Sequence, residues 1–386
     1  MSTKCFGFDY RTGHAVRVEF GAAIEAVDEL VGPVEGIDTW LAPGFIDLQV
    51  NGFAGVDYCS PNSSLEEIGR SIRAQFACGV SRIYPTVITG SAADMQGAFR
   101  NLAKARRELP EGEAFEAIHA EGPFISAEDG PRGAHPVKQA RPPSLEEWRR
   151  MQDAAEGNIR LLTLSPEYEG SAHFIQEVAS EGVVVSIGHT KATAEQISDA
   201  VSAGATMSTH LGNGAHAILP RHPNYIWEQL AEDRLTASFI VDGIHLPPCF
   251  LKVALRAKGI ERSVLVTDAV MPAGCAPGEY ALGEIEVTLH PEGKVTLRGG
   301  TRLAGSALKM DDGVTNLMRL AGLGLRDAVT MATTNAARAG RVGGRMRGLN
   351  PGDRGDLVEF GFDAQEKKIS VQRTWMSGKL VYERAD

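Results

Sequence analysis

The feature that most constrains the fold is a series of short apolar runs, each ending in or just before an acid, an amide or a histidine. They include Gly44-Phe-Ile-Asp-Leu-Gln-Val-Asn51, Ala117-Ile-His-Ala-Glu121, Val183-Val-Val-Ser-Ile-Gly-His189, Ala205-Thr-Met-Ser-Thr-His210, Thr236-Ala-Ser-Phe-Ile-Val-Asp242 (with His245 just beyond) and Ser263-Val-Leu-Val-Thr-Asp268. With two further runs they predict eight strands, near residues 44–50, 80–88, 115–121, 159–165, 183–188, 205–210, 236–241 and 263–268. Between them lie stretches with apolar residues at three- and four-residue spacing, such as Leu65 to Phe76 and Ala194 to Val201. Strand and helix in alternation make a parallel sheet, and eight such units close an α/β barrel of the (β/α)8 TIM type. The alternative is a doubly wound open sheet. That fold would more often place a glycine-rich phosphate loop after the first strand, and Gly52-Phe-Ala-Gly55 does not match it.

Both ends of the chain read as short strands broken by Gly and Pro, for example Ala15 to Phe20, Asp356 to Phe360 and Lys379 to Glu383. Residues 1–42 and 350–386 are therefore expected to form one small β-sandwich domain, and residues 43–349 the barrel.

A net charge of −10 argues against general nucleic-acid binding, which needs clustered Lys and Arg. No apolar run approaches the roughly 20 residues of a membrane span, and residues 1–10 show no apolar signal segment. Five scattered cysteines without a Cys-x-x-Cys pair suit reduced thiols. A cytoplasmic enzyme is the expectation.

In such a barrel, functional groups gather at the C-terminal ends of the strands. Glu121, His189 and His210 end the third, fifth and sixth predicted strands, and three N/O ligands with an open position describe a catalytic divalent metal site. A bound ion makes water a nucleophile near neutral pH, and Asp268 is placed to take its proton and pass it to a leaving group. This is chemistry for hydrolysing an amide. Pro272 and Gly274 follow Asp268 closely, which argues against a simple helix N-cap there. Of the other histidines, His119 is expected inside the barrel, His14, His173 and His290 in structural roles, and His216 and His222 as solvated loop residues.

Seven motifs in order, Ala42-Pro-Gly-Phe-Ile-Asp47, His119-Ala-Glu-Gly-Pro123, Gly188-His189, Thr209-His-Leu-x-Asn213, Asp242-Gly-x-His245, Thr267-Asp-Ala269 and Ala304-Gly-Ser-Ala307, run across nearly the whole chain. In this the sequence resembles the N-acetylglucosamine-6-phosphate deacetylases of the amidohydrolase superfamily. The resemblance implies a metal-dependent barrel that removes the N-acetyl group of a phosphorylated amino sugar. It implies Glu121, His189 and His210 as metal ligands, Asp268 as general acid/base and His135 as the group polarising the acetyl carbonyl. For the substrate it implies Gln49, Asn51, Ala134, Asn213, Gly214, Arg221 and His245, with Ala304, Gly305 and Ser306 in a loop over the sugar. A homodimer is implied by the family's use of the loop that holds Arg221.

Two departures sharpen this. Gln49-Val-Asn51 stands where many amidohydrolases carry His-x-His, and a carboxamide is a poor zinc ligand, so one divalent ion per chain is expected, zinc foremost and iron also tolerated. The fourth strand has no lysine, which removes the carbamylated bridge of the ring-opening relatives. In the loop Leu211 to Asn224, Gly212 and Gly214 replace bulkier residues and His222 replaces an acid. N-acetylgalactosamine 6-phosphate or another N-acyl amino sugar thus stays open as substrate.

Overall fold

The computed structural model of the chain describes residues 2–31, 36–282 and 285–385. Eight parallel strands stand side by side in chain order: Phe45–Val50, Val80–Ile88, Ile118–Glu121, Ile159–Leu164, Val184–Ile187, Ala205–Ser208, Thr236–Ile240 and Ser263–Val266. These are barrel strands one to eight below. A helix follows each of them further along the chain, from Leu65–Phe76 after the first to Met310–Asn316 after the eighth. The first helix starts where its sequence says it should. Ser64 Oγ accepts from the N–H of Glu67 while the Glu67 carboxylate accepts from the N–H of Ser64, a reciprocal cap that satisfies two otherwise orphaned donors.

The sheet closes, which rules out the open alternative. The Asp268 N–H donates to Gln49 O at 2.9 Å, the Asn51 N–H to Ala269 O at 2.7 Å, and Val50 pairs with Ala269 in parallel. Alternate residues along each strand fill the interior. A lower apolar layer includes Leu48, Tyr84, Leu161, Val184, Met207 and Val264. Above it lies a polar layer: His119 Nε2 meets Thr163 Oγ1 at 2.7 Å, Thr163 meets Thr209 at 2.7 Å, and Thr209 meets Ser186 at 2.6 Å. His119 thus sits in the barrel as its alternation with Ala117 and Glu121 requires, and burial lowers its pKa to about 4, keeping it neutral.

The two chain ends build one seven-stranded sheet, in the order Lys379–Glu383, Lys368–Met376, Leu357–Asp363, Thr39–Pro43, Thr3–Asp9, Ala15–Phe20 and Ile24–Glu29. Phe20 and Trp375 lie four strand positions apart, roughly 19 Å in a flat sheet. Their ring centroids are only 5.6 Å apart. The sheet therefore folds over itself into a sandwich around Val18, Phe20, Leu41, Leu357 and Trp375. A feature with no counterpart in the sequence reading is a four-stranded sheet between barrel strand eight and its helix, with strands Gly278–Leu282, Ile285–Leu289, Lys294–Leu297 and Leu303–Ser306.

Barrel and sandwich are joined by buried charge. Arg82, on barrel strand two, grips the Asp356 carboxylate with two nitrogens at 2.8 and 2.9 Å, and Arg345 Nη1 reaches it at 2.5 Å. The Ser377 N–H adds a bond at 2.7 Å, and Arg345 also donates to Gly44 O. Burial works against the Asp356 charge, but Arg345 and Arg82 outweigh it and hold the carboxyl well below its usual range. Removing one partner of such a group leaves uncompensated buried charge. Asp356→Asn should destabilise the fold by about 3–5 kcal/mol, whereas Glu113→Gln, which loses a half-exposed partner of Arg82, should cost under about 1 kcal/mol. Thermal denaturation of both variants checks this, and equal shifts in Tm would refute the central role of Asp356.

Candidate active site and metal centre

Three residues at the rim of the barrel, His189, His210 and Asp268, have backbone φ of 48°, 30° and 48°. Left-handed backbone at non-glycine residues costs about 1–3 kcal/mol each and persists only where the surroundings hold it. Here they do. Ser238 Oγ accepts from the His210 N–H at 2.8 Å, and His189 O accepts from the Ser126 N–H at 2.9 Å. Around Asp268, Asp47 accepts Thr267 Oγ1 at 2.5 Å and the N–H groups of Thr267 and Gln49 at 3.2 Å. The turned backbone carries each side chain over the mouth.

There Glu121 Oε1 lies 3.0 Å from His189 Nε2 and 2.9 Å from His210 Nε2, and the two nitrogens are 3.1 Å apart. All three side chains are buried, and among the described residues this is the one cluster of acids, histidines or cysteines suited to hold a metal ion. His189 Nδ1 is 2.8 Å from Pro131 O. A carbonyl can only accept, so in the neutral ring the proton sits on Nδ1 and the Nε2 lone pair faces Glu121 and His210. Two imidazole nitrogens and one carboxylate oxygen converging at about 3 Å fit a single ion with ligand distances of roughly 2.0–2.2 Å. The donor set therefore suits a divalent cation. Burial raises the pKa of Glu121, but its bonds to His189 and His210 outweigh that and keep it ionised.

Asp268 is tethered from one side. Its Oδ1 receives Asn51 Nδ2 at 2.7 Å and Gln49 Nε2 at 3.1 Å, while Oδ2 makes no hydrogen bond among the described residues. The two amides expected to touch substrate thus spend their N–H groups on Asp268, and Asn51 Oδ1 stays buried without a partner. Burial and the nearby charge of Glu121 push Asp268 up to about 6. His135 packs edge-on against His189, with ring centroids 4.3 Å apart. Its Nδ1 has no partner, and chiefly burial lowers its pKa to about 3, so it is neutral at physiological pH.

The remaining expected residues fall as follows. His245 Nδ1 is 2.6 Å from Asp242, whose other oxygen accepts from the N–H groups of Ile244 and His245. Gly214, at φ 55°, presses on His189: a Cβ there would stand 2.8 Å from Nδ1, so the loop after strand six reaches the ligand ring only because this residue is glycine. Asn213 is half-buried with its Nδ2 3.3 Å from His210 O, while Ala134 and Arg221 are exposed. Ala304, Gly305 and Ser306 belong to a strand rather than a free loop, and the Ser306 backbone pairs with Ala269. His222 is exposed as expected. His216 is not merely solvated, because its ring bonds both Tyr225 and Glu128. Sequence reasoning also missed Asp47 as the anchor of the Thr267–Asp268 turn, although its place in the Phe-Ile-Asp motif could have signalled it.

The fold and the site define a metal-dependent hydrolase of the amidohydrolase superfamily. No family model matches the chain. It is 31% identical to the N-acetylglucosamine-6-phosphate deacetylase of Bacillus subtilis over 331 residues, 85% of this chain and 82% of that protein. It is 30% identical to the N-acetylgalactosamine-6-phosphate deacetylase of Escherichia coli O157:H7 over 370 residues, 95% of this chain and 94% of that protein. A solved structure of a mutant N-acetyl-D-glucosamine-6-phosphate deacetylase from Mycobacterium smegmatis, in complex with N-acetyl-D-glucosamine-6-phosphate, superposes with a TM-score of 0.88 at 28% identity, covering 98% of this chain and 99% of that one. The chain belongs to the N-acetylglucosamine-6-phosphate deacetylase family.

Among the described residues one Glu/His/His triangle is suited to a metal ion, and Gln49 and Asn51 bond Asp268 instead, which is the basis for expecting one ion per chain. Protein purified without chelator should carry near one equivalent of divalent metal per chain, and His189→Ala or His210→Ala should lose it. Full activity at two equivalents in elemental analysis would contradict this.

Proposed function

We propose that the protein hydrolyses the N-acetyl group of N-acetylglucosamine 6-phosphate, giving glucosamine 6-phosphate and acetate, with one zinc ion held by Glu121, His189 and His210. The observation that carries the reading is the ligand triangle beside a carboxylate whose Oδ1 is tied down and whose Oδ2 is free. A bound divalent ion supplies positive charge that brings the ionisation of water from about 15.7 to near 7. Asp268 Oδ2 takes that proton and returns it to the amine as the C–N bond breaks, which is the two-way duty of a group with a pKa near the working range. Gln49 and Asn51 keep Asp268 from rotating. His135, neutral, offers an N–H to the acetyl oxygen as charge builds there.

Asp268→Asn should keep fold and metal yet lose most of kcat. The pH profile follows from burial: Asp268 acts as base only when ionised, so activity falls as pH drops through its pKa. A bound cation pulls that value below the value of about 6 that burial and Glu121 produce in its absence. The acid limb of kcat/KM is therefore expected at or below about pH 6, and a limb above pH 7 would show that another group is the base.

N-acetylgalactosamine 6-phosphate is the second reading, supported by the Escherichia coli relative and by the small residues Gly212 and Gly214 beside the site. In both readings the backbone of Asn213 and Gly214 and the Arg221 side chain hold the phosphate, and His245 closes the pocket. Arg221 suits this because its guanidinium is exposed and makes no ion pair among the described residues, and its planar fork matches phosphate oxygens. Ile218 on the same loop, Trp227 on the helix after strand six and Val253 on the helix after strand seven are exposed, at 90%, 47% and 50% accessibility. We propose a homodimer through this face, in the cytoplasm; no helix among the described residues is long and apolar enough to cross a membrane. Arg221→Ala should raise KM for the 6-phosphorylated sugar sharply and leave slow turnover of the unphosphorylated sugar unchanged, in a protein that sediments as two chains. Equal losses on both substrates would make Arg221 a loop anchor instead.

A further inference from the structure

Two loops meet above His189, and the residue that joins them has no part in the reaction. One follows barrel strand three and carries His135. The other follows strand six and carries Asn213, Gly214, His216 and Arg221. The His216 N–H donates to Tyr225 Oη at 2.8 Å, and its Nδ1 lies 2.9 Å from the same oxygen. The tyrosine hydroxyl accepts the first bond and gives its single proton to Nδ1, which leaves Nε2 of His216 to carry the ring proton. That Nε2–H points to Glu128 Oε1, 2.8 Å away on the His135 loop. Glu128 Oε2 receives Lys191 Nζ at 2.6 Å.

The backbones touch at the same place. A Cβ on Gly130 would stand 3.0 Å from Cα of His216. From Glu128 the run to His135 is short and braced: Arg302 binds Asp129 at 3.0 Å and Gly133 O at 2.8 Å, and Arg132 Nη1 donates to His135 O at 2.7 Å. We infer that His216 is a positioning residue that couples the phosphate-gripping loop to His135, so that binding of the sugar's 6-phosphate fixes His135 over the acetyl group. This rests on the deacetylase reading. It makes remote binding energy appear in kcat rather than in KM alone.

The test compares acetate release from N-acetylglucosamine 6-phosphate and from N-acetylglucosamine by the metal-loaded full chain. Because the Glu128 and His216 side chains are 46% and 25% accessible, the bond is partly screened. His216→Ala should lower kcat on the phosphorylated sugar roughly five- to tenfold with little change in KM, leave turnover of the unphosphorylated sugar unchanged, and be rescued by His216→Gln, which keeps an N–H at similar reach. Equal loss on both sugars, or a change in KM alone, overturns the inference. Hydrogen exchange with added glucosamine 6-phosphate separates the two readings. Protection of both 211–224 and 126–136 in the wild type, with only 211–224 protected in His216→Ala, supports the coupling. Protection of 211–224 alone in the wild type overturns the coupling but keeps the substrate, and no protection anywhere overturns both.

Discussion

The structure depends on the junction between barrel strands one and eight. Two backbone hydrogen bonds, Asp268 N–H to Gln49 O and Asn51 N–H to Ala269 O, close the barrel. The same two bonds set Asp268 beside the side chains of Gln49 and Asn51. A slip of one residue would turn every side chain of strand eight to the opposite face, opening the site and the barrel together. Asp47 guards against this by binding backbone N–H groups from both strands, at Gln49 and Thr267. Closure of the barrel and placement of Asp268 are one event.

The barrel was legible in the sequence because buried parallel strands are short apolar runs whose polar endings fall where the mouth must be. All eight expected strands occur, and Glu121, His189 and His210 converge as their strand-end positions require. The four-stranded sheet was not legible. Gly278–Leu282 alternates between half-exposed and exposed residues, so it offers no buried face to set a period. Two uses of site residues were hidden for another reason. Gln49 and Asn51 could be excluded as good zinc ligands by chemistry, but their partner is more than two hundred positions away in the chain, at Asp268. His216 is likewise separated by 88 positions from Glu128. Spacing carries no information about a contact that only the closed barrel creates.

Beneath the ligands, the layer of His119, Thr163, Ser186 and Thr209 places hydroxyls and an imidazole where most barrels pack aliphatic groups. Buried polar atoms destabilise a fold unless paired, and these pair with one another in an unbroken chain across strands three to six. Such a layer fixes rotamers more narrowly than apolar packing, since each hydroxyl must meet its neighbour within about 3 Å.

The electrostatics of the mouth favour a cation beside these residues. Glu121 is buried and Asp268 half-buried beside it, and the charge of Glu121 raises the pKa of Asp268. His135 is kept neutral chiefly by burial, so it cannot offset them. The helices and loops around the rim contribute no buried arginine or lysine to the triangle among the described residues. Two neighbouring carboxylates favour positive charge beside them, and their bonds and charge already raise the pKa of His210 against its burial. A dication held by Glu121, His189 and His210, as proposed above, would supply that charge and hold Asp268 ionised at neutral pH.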